Sequence, residues 1–329
     1  MKQDNRTDQD WLAAAAALGQ RARPLSRPNP AVGAIVVRDG RVVGRGWTRA
    51  GGRPHAEAEA LAMAGEAARG ATLYVTLEPC AHASERGPAC ADLAVAAGLR
   101  HVVVAVEDPD RRTAGAGMAR ITAAAIAAEL VSSPAAEASL EGYLARRTLG
   151  RPHVTLKLAL SLDGCIALSS GESRWITGEE ARAHAHLERA RADAILVGGG
   201  TLRADAPRLD VRLPGLEGRS PERWVLTGGE VPEGWRKLAS PPDISRMADV
   251  QYLLVEGGAK TAAAFLAADL VDRLLIYRAP IVIGGGKPGV GDIGLSDLPS
   301  AHGRWREADS RRLGNDRLDV YERTRCLPE

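Results

Sequence analysis

Short β-branched runs alternate with alanine-rich segments along the first half of the chain. Residues 34–37 and 41–47 are such runs, and the Asp39-Gly40 pair between them favours a tight hairpin turn. Further strands are predicted at residues 71–76 and 101–106. Helices are predicted at residues 11–19, 56–68, 91–97, 115–130 and 135–149, and Asp10 is expected to cap the first. This order of elements predicts one α/β layer sandwich.

The second half repeats the alternation after Gly150-Arg151-Pro152, where Pro152 indicates a domain boundary. We therefore divide the chain into domains at residues 1–148 and 149–329. Strands are predicted from residue 154 into the turn at 163–164, and at residues 194–197, 252–255, 273–277 and 318–323, the last closing the sheet. Thr177 is expected to cap a helix over residues 179–191. No GxGxxG opens a first βαβ unit, so a Rossmann domain is not indicated.

Composition limits the classes of function. The 329 residues are 45% hydrophobic and 26% charged, which is typical of a globular protein. A formal net charge of +2 is too small for a general nucleic-acid binder. The apolar run at residues 11–18 is too short to span a bilayer. The four cysteines form no disulfide framework, so we expect a cytoplasmic protein. From the short apolar run and the small net charge we expect no membrane and no nucleic-acid partner.

One imidazole, two thiols and a carboxylate are the parts of a hydrolytic zinc site. A catalytic zinc keeps three protein ligands and leaves its fourth position to water, and His55, Cys80 and Cys90 supply three. Glu57 is the predicted general base for that water, whose pKa zinc brings to about 7. The H-x-E and P-C elements are those of nucleobase deaminases, but nine residues separate these cysteines where that signature has two.

Simpler interpretations of these residues exist. An isolated HxE is usually a surface helix pair, and two cysteines in an α/β protein are usually buried apolar residues. A structural zinc is a third alternative. The predicted position of each residue at the end of an element, where ligands can converge, favours catalytic zinc. His82 is either a fourth ligand or a contact to the substrate.

The first half resembles the deaminase half of the bifunctional deaminase–reductase family of riboflavin biosynthesis. The resemblance rests on Asn29-Pro30-Ala31-Val32-Gly33, Pro54-His55-Ala56-Glu57, Thr76-Leu77-Glu78-Pro79-Cys80, Gly87-Pro88-Ala89-Cys90, Asp108-Pro109-Asp110 and Ala114-Gly115-Ala116-Gly117. It implies a cytidine-deaminase-like α/β/α sandwich. It also implies that the substrate meets Asn29, His82, Asp108 and Gly115. The loop from residue 81 to 89 departs from the family pattern at Ala81 and at Ala83-Ser84-Glu85-Arg86, with one extra residue before Cys90.

The second half resembles the reductase half of the same family. The matching motifs are Thr155-Leu156-Lys157-Leu158-Ala159, Ser161-Leu162-Asp163-Gly164, Gly171-Glu172-Ser173, Trp175-Ile176, the residues Thr201, Asp205, Pro207, Leu209 and Arg212, and Val255-Glu256-Gly257-Gly258. They imply a dihydrofolate-reductase-like α/β domain that uses NADPH. The implied cofactor-binding residues are Ala159, Trp175, Thr201, Asp205, Gly258, Ala259, Lys260 and Thr261. The implied reductase-substrate residues are Lys157, Ser173, Arg189, Leu209, Arg212 and Glu256.

Three features of the second half stand apart from these motifs. Leu226-Thr227-Gly228 replaces the usual Asp-Ser after the arginine-bearing loop, which bears on NADPH binding. Lys157 lies among apolar neighbours and either extends to an edge or points into a site. His184 and His186 lie two residues apart in a charged helix, which predicts a solvated surface.

The resemblance covers about residues 10 to 325 and implies two reactions on a phosphoribosylaminopyrimidine. Zinc-dependent deamination of 2,5-diamino-6-(5-phosphoribosylamino)pyrimidin-4-one would come first. NADPH would then reduce the ribosyl side chain of 5-amino-6-(5-phosphoribosylamino)uracil to ribityl. The implied cofactors are one Zn2+ per chain and NADPH, and a homo-oligomer is compatible with the pattern. The alternatives are a single-activity nucleobase or nucleoside deaminase with a degenerate second domain and a zinc-stabilised nucleic-acid-binding module.

Overall fold

The fold is described from a computed structural model that covers residues 6–82 and 86–324. Ala83, Ser84 and Glu85, from the loop that departs from the family pattern, and Cys326, the last of the four cysteines, lie outside the described residues. The chain divides into two compact units, Met1–Gly150 and Arg151–Glu329. In the described part, no helix is long and apolar enough to cross a membrane.

The first unit is built on one five-stranded sheet in the order β2-β1-β3-β4-β5. β1 is antiparallel to β2 and β3, whereas β3, β4 and β5 are parallel. Its elements are α1 (Asp8–Gly19), β1 (Gly33–Arg38), β2 (Arg41–Trp47), α2 (Ala56–Ala64), β3 (Thr72–Val75), α3 (Cys90–Ala96), β4 (His101–Val104), α4 (Ala116–Ala123), β5 (Ala127–Leu130) and α5 (Pro134–Thr148). The predicted α/β/α sandwich is confirmed.

Period-two alternation along the strands divides the core of this unit between the two faces of the sheet. Val36 and Leu73 pack in the cluster that contains α2 residues, while Ile35 and Tyr74 pack with Trp11 of α1. Close packing of α2 on β2 depends on Gly44, because a Cβ there would lie 2.0 Å from the carbonyl oxygen of Ala60. This contact fixes the helix whose first turn carries Glu57.

Two predictions for the first unit were wrong. The helix predicted to run to residue 130 ends at Ala123, and Ala127–Leu130 instead pairs in parallel with β4 as an edge strand. Ala125 has a φ of 60°, and this left-handed residue separates the two elements. The N-cap of α1 is Thr7, whose hydroxyl accepts from the amide of Asp10, so Asp10 completes a capping box.

The second unit contains an eight-stranded sheet in the order β10-β9-β8-β11-β6-β12-β15-β14 and a small sheet of β13 with β7. The strands from β10 to β12 are parallel, and β15 and β14 continue the sheet antiparallel. The elements are β6 (His153–Leu160), β7 (Cys165–Ala167), α6 (Glu179–Arg191), β8 (Ala194–Gly198), α7 (Gly199–Asp205), β9 (Glu222–Leu226), β10 (Arg236–Leu238), β11 (Tyr252–Val255), α8 (Ala259–Ala267), β12 (Arg273–Arg278), β13 (Lys287–Pro288), β14 (Trp305–Leu313) and β15 (Asp316–Arg323).

Helices cover both faces of this sheet. Leu156 and Phe265 share one core cluster, whereas Leu275 and Tyr277 pack with Ala181 of α6 on the other face. Lys157 alternates with Leu156 and therefore lies on the α6 face.

Three details of this unit differ from the sequence prediction. The N-cap of α6 is Gly178, whose amide donates to Asp316 Oδ2 at 2.6 Å, so Thr177 makes no cap. Helix α7 begins at Gly199, in a glycine-rich segment for which no helix was predicted. The sheet does not close at β15, because β14 is the edge strand.

Candidate active sites

Three ligand-type side chains converge at the ends of segments in the first unit. His55 is the N-cap residue of α2, Cys80 follows β3, and Cys90 is the first residue of α3. The His55 Nδ1 atom lies 3.3 Å from Cys90 Sγ and 3.6 Å from Cys80 Sγ. Tetrahedral ligands at zinc bond lengths of ~2.1 Å to nitrogen and ~2.3 Å to sulfur are about 3.6 Å apart. The three residues therefore fit a zinc ion.

The cluster supplies three ligands and no fourth. The ligand atoms of His55, Cys80 and Cys90 all lie within 4.8 Å of one another, and no other described residue joins the group. His82 lies in the wall of the same cavity, and its Nδ1 is buried without a hydrogen-bond partner among the described residues. Three ligands and one remaining position are the pattern of a catalytic zinc site.

Hydrogen bonds change the pKa values of the two thiols and favour the thiolate form of Cys80. The hydrogen bond that Cys80 shares with the Cys90 thiol lowers the pKa of Cys80 to about 3, against burial, and the bond with His55 acts in the same direction. The Cys90 amide also donates to Cys80 Sγ at 3.3 Å. The shared bond and burial raise the pKa of Cys90. One thiolate is thus stabilised, and the thiolate is the form that binds metal.

Glu57 lies in the first turn of α2 and faces the same cavity as the ligands. Its side chain is almost completely buried, and burial raises the pKa of its carboxyl. A raised pKa suits a carboxylate that takes up and returns a proton near neutral pH. Burial and the charge of Arg53 lower the pKa of His55, but the Cys80 hydrogen bond produces a net increase.

The cavity beside the triad has a volume of about 250 Å³. Asn29 forms part of its wall, donating from Nδ2 to the carbonyl of Gly52 at 2.9 Å and lying 3.3 Å from His55 Nε2. Asp108 lies in the wall as well, where it accepts from the Tyr143 hydroxyl at 2.7 Å. Asn29 and Asp108 are therefore placed where a bound ring could contact them.

Gly115 has a different position from the one the resemblance implies. Its amide donates to Glu78 Oε2 at 2.9 Å, and it does not line the cavity. The Gly117 amide donates to Glu78 Oε1 at 2.9 Å, and a Cβ on Gly117 would lie 1.9 Å from the carbonyl oxygen of Pro79. The glycines thus allow the loop before α4 to approach the segment that carries Cys80.

A larger cavity, of about 790 Å³, lies at the carboxyl ends of the parallel strands in the second unit. Ligands of open α/β sheets bind at this edge. Arg189 donates to Glu256 from Nε at 2.7 Å and from Nη2 at 2.8 Å, and Lys157 Nζ lies 3.8 Å from the same carboxylate. The Lys157 side chain therefore points into a site.

Charges in this cluster are strongly coupled. Burial alone would raise the pKa of Glu256, but the charges of Arg189 and Lys157 lower it to about 2. Burial lowers the pKa of Lys157, which Glu256 partly offsets. The carboxylate is consequently ionised at neutral pH between two half-buried cations.

The residues implied for the reductase divide into two groups. Those in the cavity wall are Lys157, Ala159, Ser173, Trp175, Arg189, Thr201, Asp205, Leu209, Arg212, Glu256 and Gly258. Those outside it are Ala259, Lys260 and Thr261, in the first turn of α8. Thr261 is buried, and a Cβ on Gly198 would meet its hydroxyl at 2.2 Å, which indicates a packing role.

Thr227, where the chain departs from the family pattern, accepts from the Gly229 amide at 3.1 Å and lies beside Gly199. It does not line the cavity.

His184 and His186 are half-buried, which contradicts the predicted solvated surface. His184 Nδ1 lies 2.8 Å from the Tyr277 hydroxyl, and the Arg212 guanidinium donates to His186 Nε2 at 3.3 Å.

The sequence analysis did not identify the basic side chains of the smaller cavity, Arg53, Arg86, Arg112 and Arg147. Arg53 adjoins the Pro54-His55-Ala56-Glu57 motif, and that adjacency was the available signal. Arg147 lies in the last turn of α5 and reaches the wall through the tertiary fold alone.

Two family models together match most of the chain. The model described as the cytidine and deoxycytidylate deaminase zinc-binding region matches residues 5–106. The RibD C-terminal domain model matches residues 152–234 and 243–318.

Whole proteins of the same arrangement are similar over nearly their full length. The riboflavin biosynthesis protein RibD of Escherichia coli is 36% identical, with 94% of this chain and 97% of that protein covered. The Mycobacterium tuberculosis RibD is 39% identical, with 88% and 90% covered.

Solved structures give the same result. A structure of Acinetobacter baumannii RibD has a TM-score of 0.86 at 33% identity, covering 97% of this chain and 99% of that one. A diaminohydroxyphosphoribosylaminopyrimidine deaminase/5-amino-6-(5-phosphoribosylamino)uracil reductase from Thermotoga maritima has a TM-score of 0.86 at 30% identity, covering 96% and 99%. One chain thus carries both a zinc-binding deaminase unit and a reductase unit. This protein is a member of the RibD family of bifunctional riboflavin biosynthesis enzymes, in which a deaminase is joined to a reductase.

Proposed function

We propose that the chain deaminates 2,5-diamino-6-(5-phosphoribosylamino)pyrimidin-4-one and then reduces the ribosyl group of the product to ribityl with NADPH. Residues 1–148 carry the first reaction and residues 149–329 the second. The observation that carries the proposal is the convergence of His55, Cys80 and Cys90 beside a buried Glu57. The substrate names are those of the similar Thermotoga maritima enzyme. Because the site needs reduced thiols, a cytoplasmic location is part of the proposal.

In the deaminase unit, His55, Cys80 and Cys90 hold the zinc. A zinc ion in such a site lowers the pKa of a bound water to about 7. Glu57 would take one proton of the attacking water and pass it to the ring nitrogen, and would then move the remaining hydroxyl proton to the 2-amino group, which leaves as ammonia while the oxygen stays on the ring carbon as a carbonyl. Asn29, His82 and Asp108 orient the ring and its substituents from the cavity wall. Gly115 contributes indirectly, through Glu78.

In the reductase unit, the cavity wall orients the cofactor and the substrate. A bound nicotinamide cofactor would supply a hydride to the anomeric carbon of the ring-opened ribosyl group, and the nitrogen attached to that carbon would take up a proton. Lys157 and Glu256 place charge beside that carbon, and Arg189 holds Glu256. Asp163 accepts from the amides of Ile283 and Gly284 and so fixes the turn after β6.

The alternative of a deaminase with a degenerate second domain is not favoured. The second unit retains a large cavity, and a mostly buried Lys157–Glu256–Arg189 cluster lies in its wall. A degenerate domain has no reason to keep three such charges in a cavity, because apolar residues of similar volume in their place would often be at least as stable.

The experiment is product analysis of purified protein with the diaminopyrimidine substrate and either NADPH or NADH. Mass spectrometry should show loss of the 2-amino group without cofactor, and the ribityl product after NADPH is added. A deaminated product that is never reduced by either dinucleotide would support the degenerate-domain alternative instead.

A further inference from the structure

Arg53 is a half-buried cation in the wall of the zinc cavity, two residues before the ligand His55. Its guanidinium makes no hydrogen bond and no ion pair with residues 6–82 or 86–324. A cation in such a position, whose charge is paired by no described residue, is suited to an anionic group of a ligand.

The backbone that carries Arg53 is held in place by the substrate-facing wall. Asn29 donates to the carbonyl of Gly52 at 2.9 Å, and Gly52 has a φ of +84°, which favours glycine. A Cβ on Gly52 would also lie 2.6 Å from Asn29 Cγ. The position of Arg53 is therefore fixed relative to Asn29 before any ligand binds.

A second arginine lies beside it. Arg53 Nη1 is 3.4 Å from the position of a Cβ on Gly87, so its side chain reaches the turn after Arg86. Arg86 Nη2 donates to the carbonyl of Gly51 at 2.8 Å, so the Arg86 side chain reaches back to the segment that carries Arg53. Both arginines line the cavity, and together they form what we call the arginine pair, Arg53 and Arg86.

Two further arginines of the cavity share one carboxylate, that of Asp110. Arg112 and Arg147 both lie against Asp110, at 2.5 Å and 3.3 Å. Hydrogen bonds from Arg112, more than the charge of Arg147, hold the pKa of Asp110 below its usual range, so its carboxylate remains ionised. The wall around Asp110 thus offers an anion less net positive charge than the wall around Arg53.

We propose that Arg53, supported by Arg86, binds the 5-phosphate of the deaminase substrate and makes the deaminase specific for the phosphorylated compound. The inference rests on the proposed function, since it takes the phosphoribosyl substrate as given. With the pyrimidine ring at the zinc, the phosphate is the part of the ligand that lies farthest from the metal. A guanidinium fork matches two phosphate oxygens, so one arginine supplies both charge and orientation.

The test compares the full-length wild type with Arg53→Met on two substrates, the phosphoribosyl compound and its dephosphorylated ribosyl analogue. Ammonia release gives KM and kcat, and zinc content confirms that the site is loaded. We expect Arg53→Met to raise KM about tenfold to a hundredfold for the phosphorylated substrate and to leave KM for the analogue within twofold. Inorganic phosphate should inhibit the wild type more strongly than the variant, and Arg53→Lys should restore part of the difference.

Two further variants locate the effect. Arg112→Met removes an arginine from the Asp110 wall, and Arg41→Met removes an exposed arginine outside the cavity. In neither variant should KM rise for the phosphorylated substrate alone, as it should in Arg53→Met. The proposal is overturned if Arg53→Met changes KM equally for both substrates, or if Arg112→Met alone shows the phosphate-dependent change. A wild type that releases ammonia from neither substrate would contradict the proposed function itself.

Discussion

Arg189 and Glu256 form a two-point ion pair, with Nε and Nη2 of the arginine at 2.7 and 2.8 Å from the two carboxylate oxygens. They lie 67 residues apart, on α6 and at the end of β11. Lys157 Nζ approaches the same carboxylate from β6 at 3.8 Å. One carboxylate thus lies against two half-buried cations in the wall of the reductase cavity, and removing it takes an ion-pair partner from both.

Glu256→Gln should therefore destabilise the protein by about 3 kcal/mol, because breaking a buried pair leaves an unpaired charge. It should also slow NADPH oxidation with the deaminated substrate. The free energy of unfolding in urea, measured on the full chain, checks the first effect. Glu322→Gln, which removes an exposed pair with Arg306, serves as the control and should cost less than about 1 kcal/mol. Equal losses in the two variants would contradict the role of Glu256.

The stabilisation by Glu256 should depend on pH. Its pKa is lowered in the folded state to about 2, from an ordinary value of 4.5. A lowered folded-state pKa means that the contribution is complete above about pH 4.5 and is lost as the pH falls towards 2. The difference in urea midpoint between the wild type and Glu256→Gln should accordingly narrow from pH 6 to pH 3. A constant difference over this range would show that the carboxylate charge is not the cause.

Glu57→Gln should keep zinc bound and reduce ammonia release by at least about a hundredfold, since the amide cannot take up the proton of the water. Zinc content by mass spectrometry and ammonia release are the measurements. Oxidation of NADPH with the deaminated substrate provides the internal control, because Glu57 lies in the other unit and that rate should be unchanged. Full ammonia release by this variant would remove Glu57 from the mechanism.

Glu78→Gln tests the buried carboxylate that organises the loop before α4. Glu78 accepts from the amides of Gly115, Gly117 and Met118, and its Oε1 alone accepts two of them. In glutamine, one of the two oxygens is replaced by an NH2 group that faces N–H donors, which should cost about 2 kcal/mol. Glu66→Gln, at an exposed position, is the matched control. Unchanged unfolding in Glu78→Gln would contradict the assigned contacts.

Local patterns predicted those elements whose signal is contained in a few consecutive residues. The Asp39-Gly40 hairpin was predicted correctly because both turn residues need positive φ, at 51° and 72°. β5 was missed because Ala127-Ala128-Glu129-Leu130 favours a helix, and pairing with β4 overrides that preference. α7 was missed because it opens with two glycines, which disfavour a helix.

The site residues also divide into those that short sequence patterns predict and those that only the tertiary fold brings together. The zinc triad could be predicted because His55 and Glu57 lie two residues apart at the start of α2, and because Cys80 lies in the loop after β3 and Cys90 at the start of α3. The ion pair of Arg189 with Glu256 could not be derived from spacing, since its partners meet through the order of strands in the sheet. Arg147 likewise reaches its cavity from the last turn of α5, far along the chain from the ligands.

The central claim is that one chain carries out a zinc-dependent deamination and then a reduction. Measuring ammonia and oxidised NADPH in the same sample tests it most directly. Purified protein is given the diaminopyrimidine substrate with NADPH, before and after zinc is removed by a chelator, and ammonia and oxidised cofactor are measured together. We predict one zinc per chain and equal amounts of ammonia and oxidised NADPH. Zinc removal should abolish both, but should leave NADPH oxidation intact when the deaminated substrate is supplied. Ammonia release that persists without zinc, or cofactor oxidation that precedes it, would contradict the account.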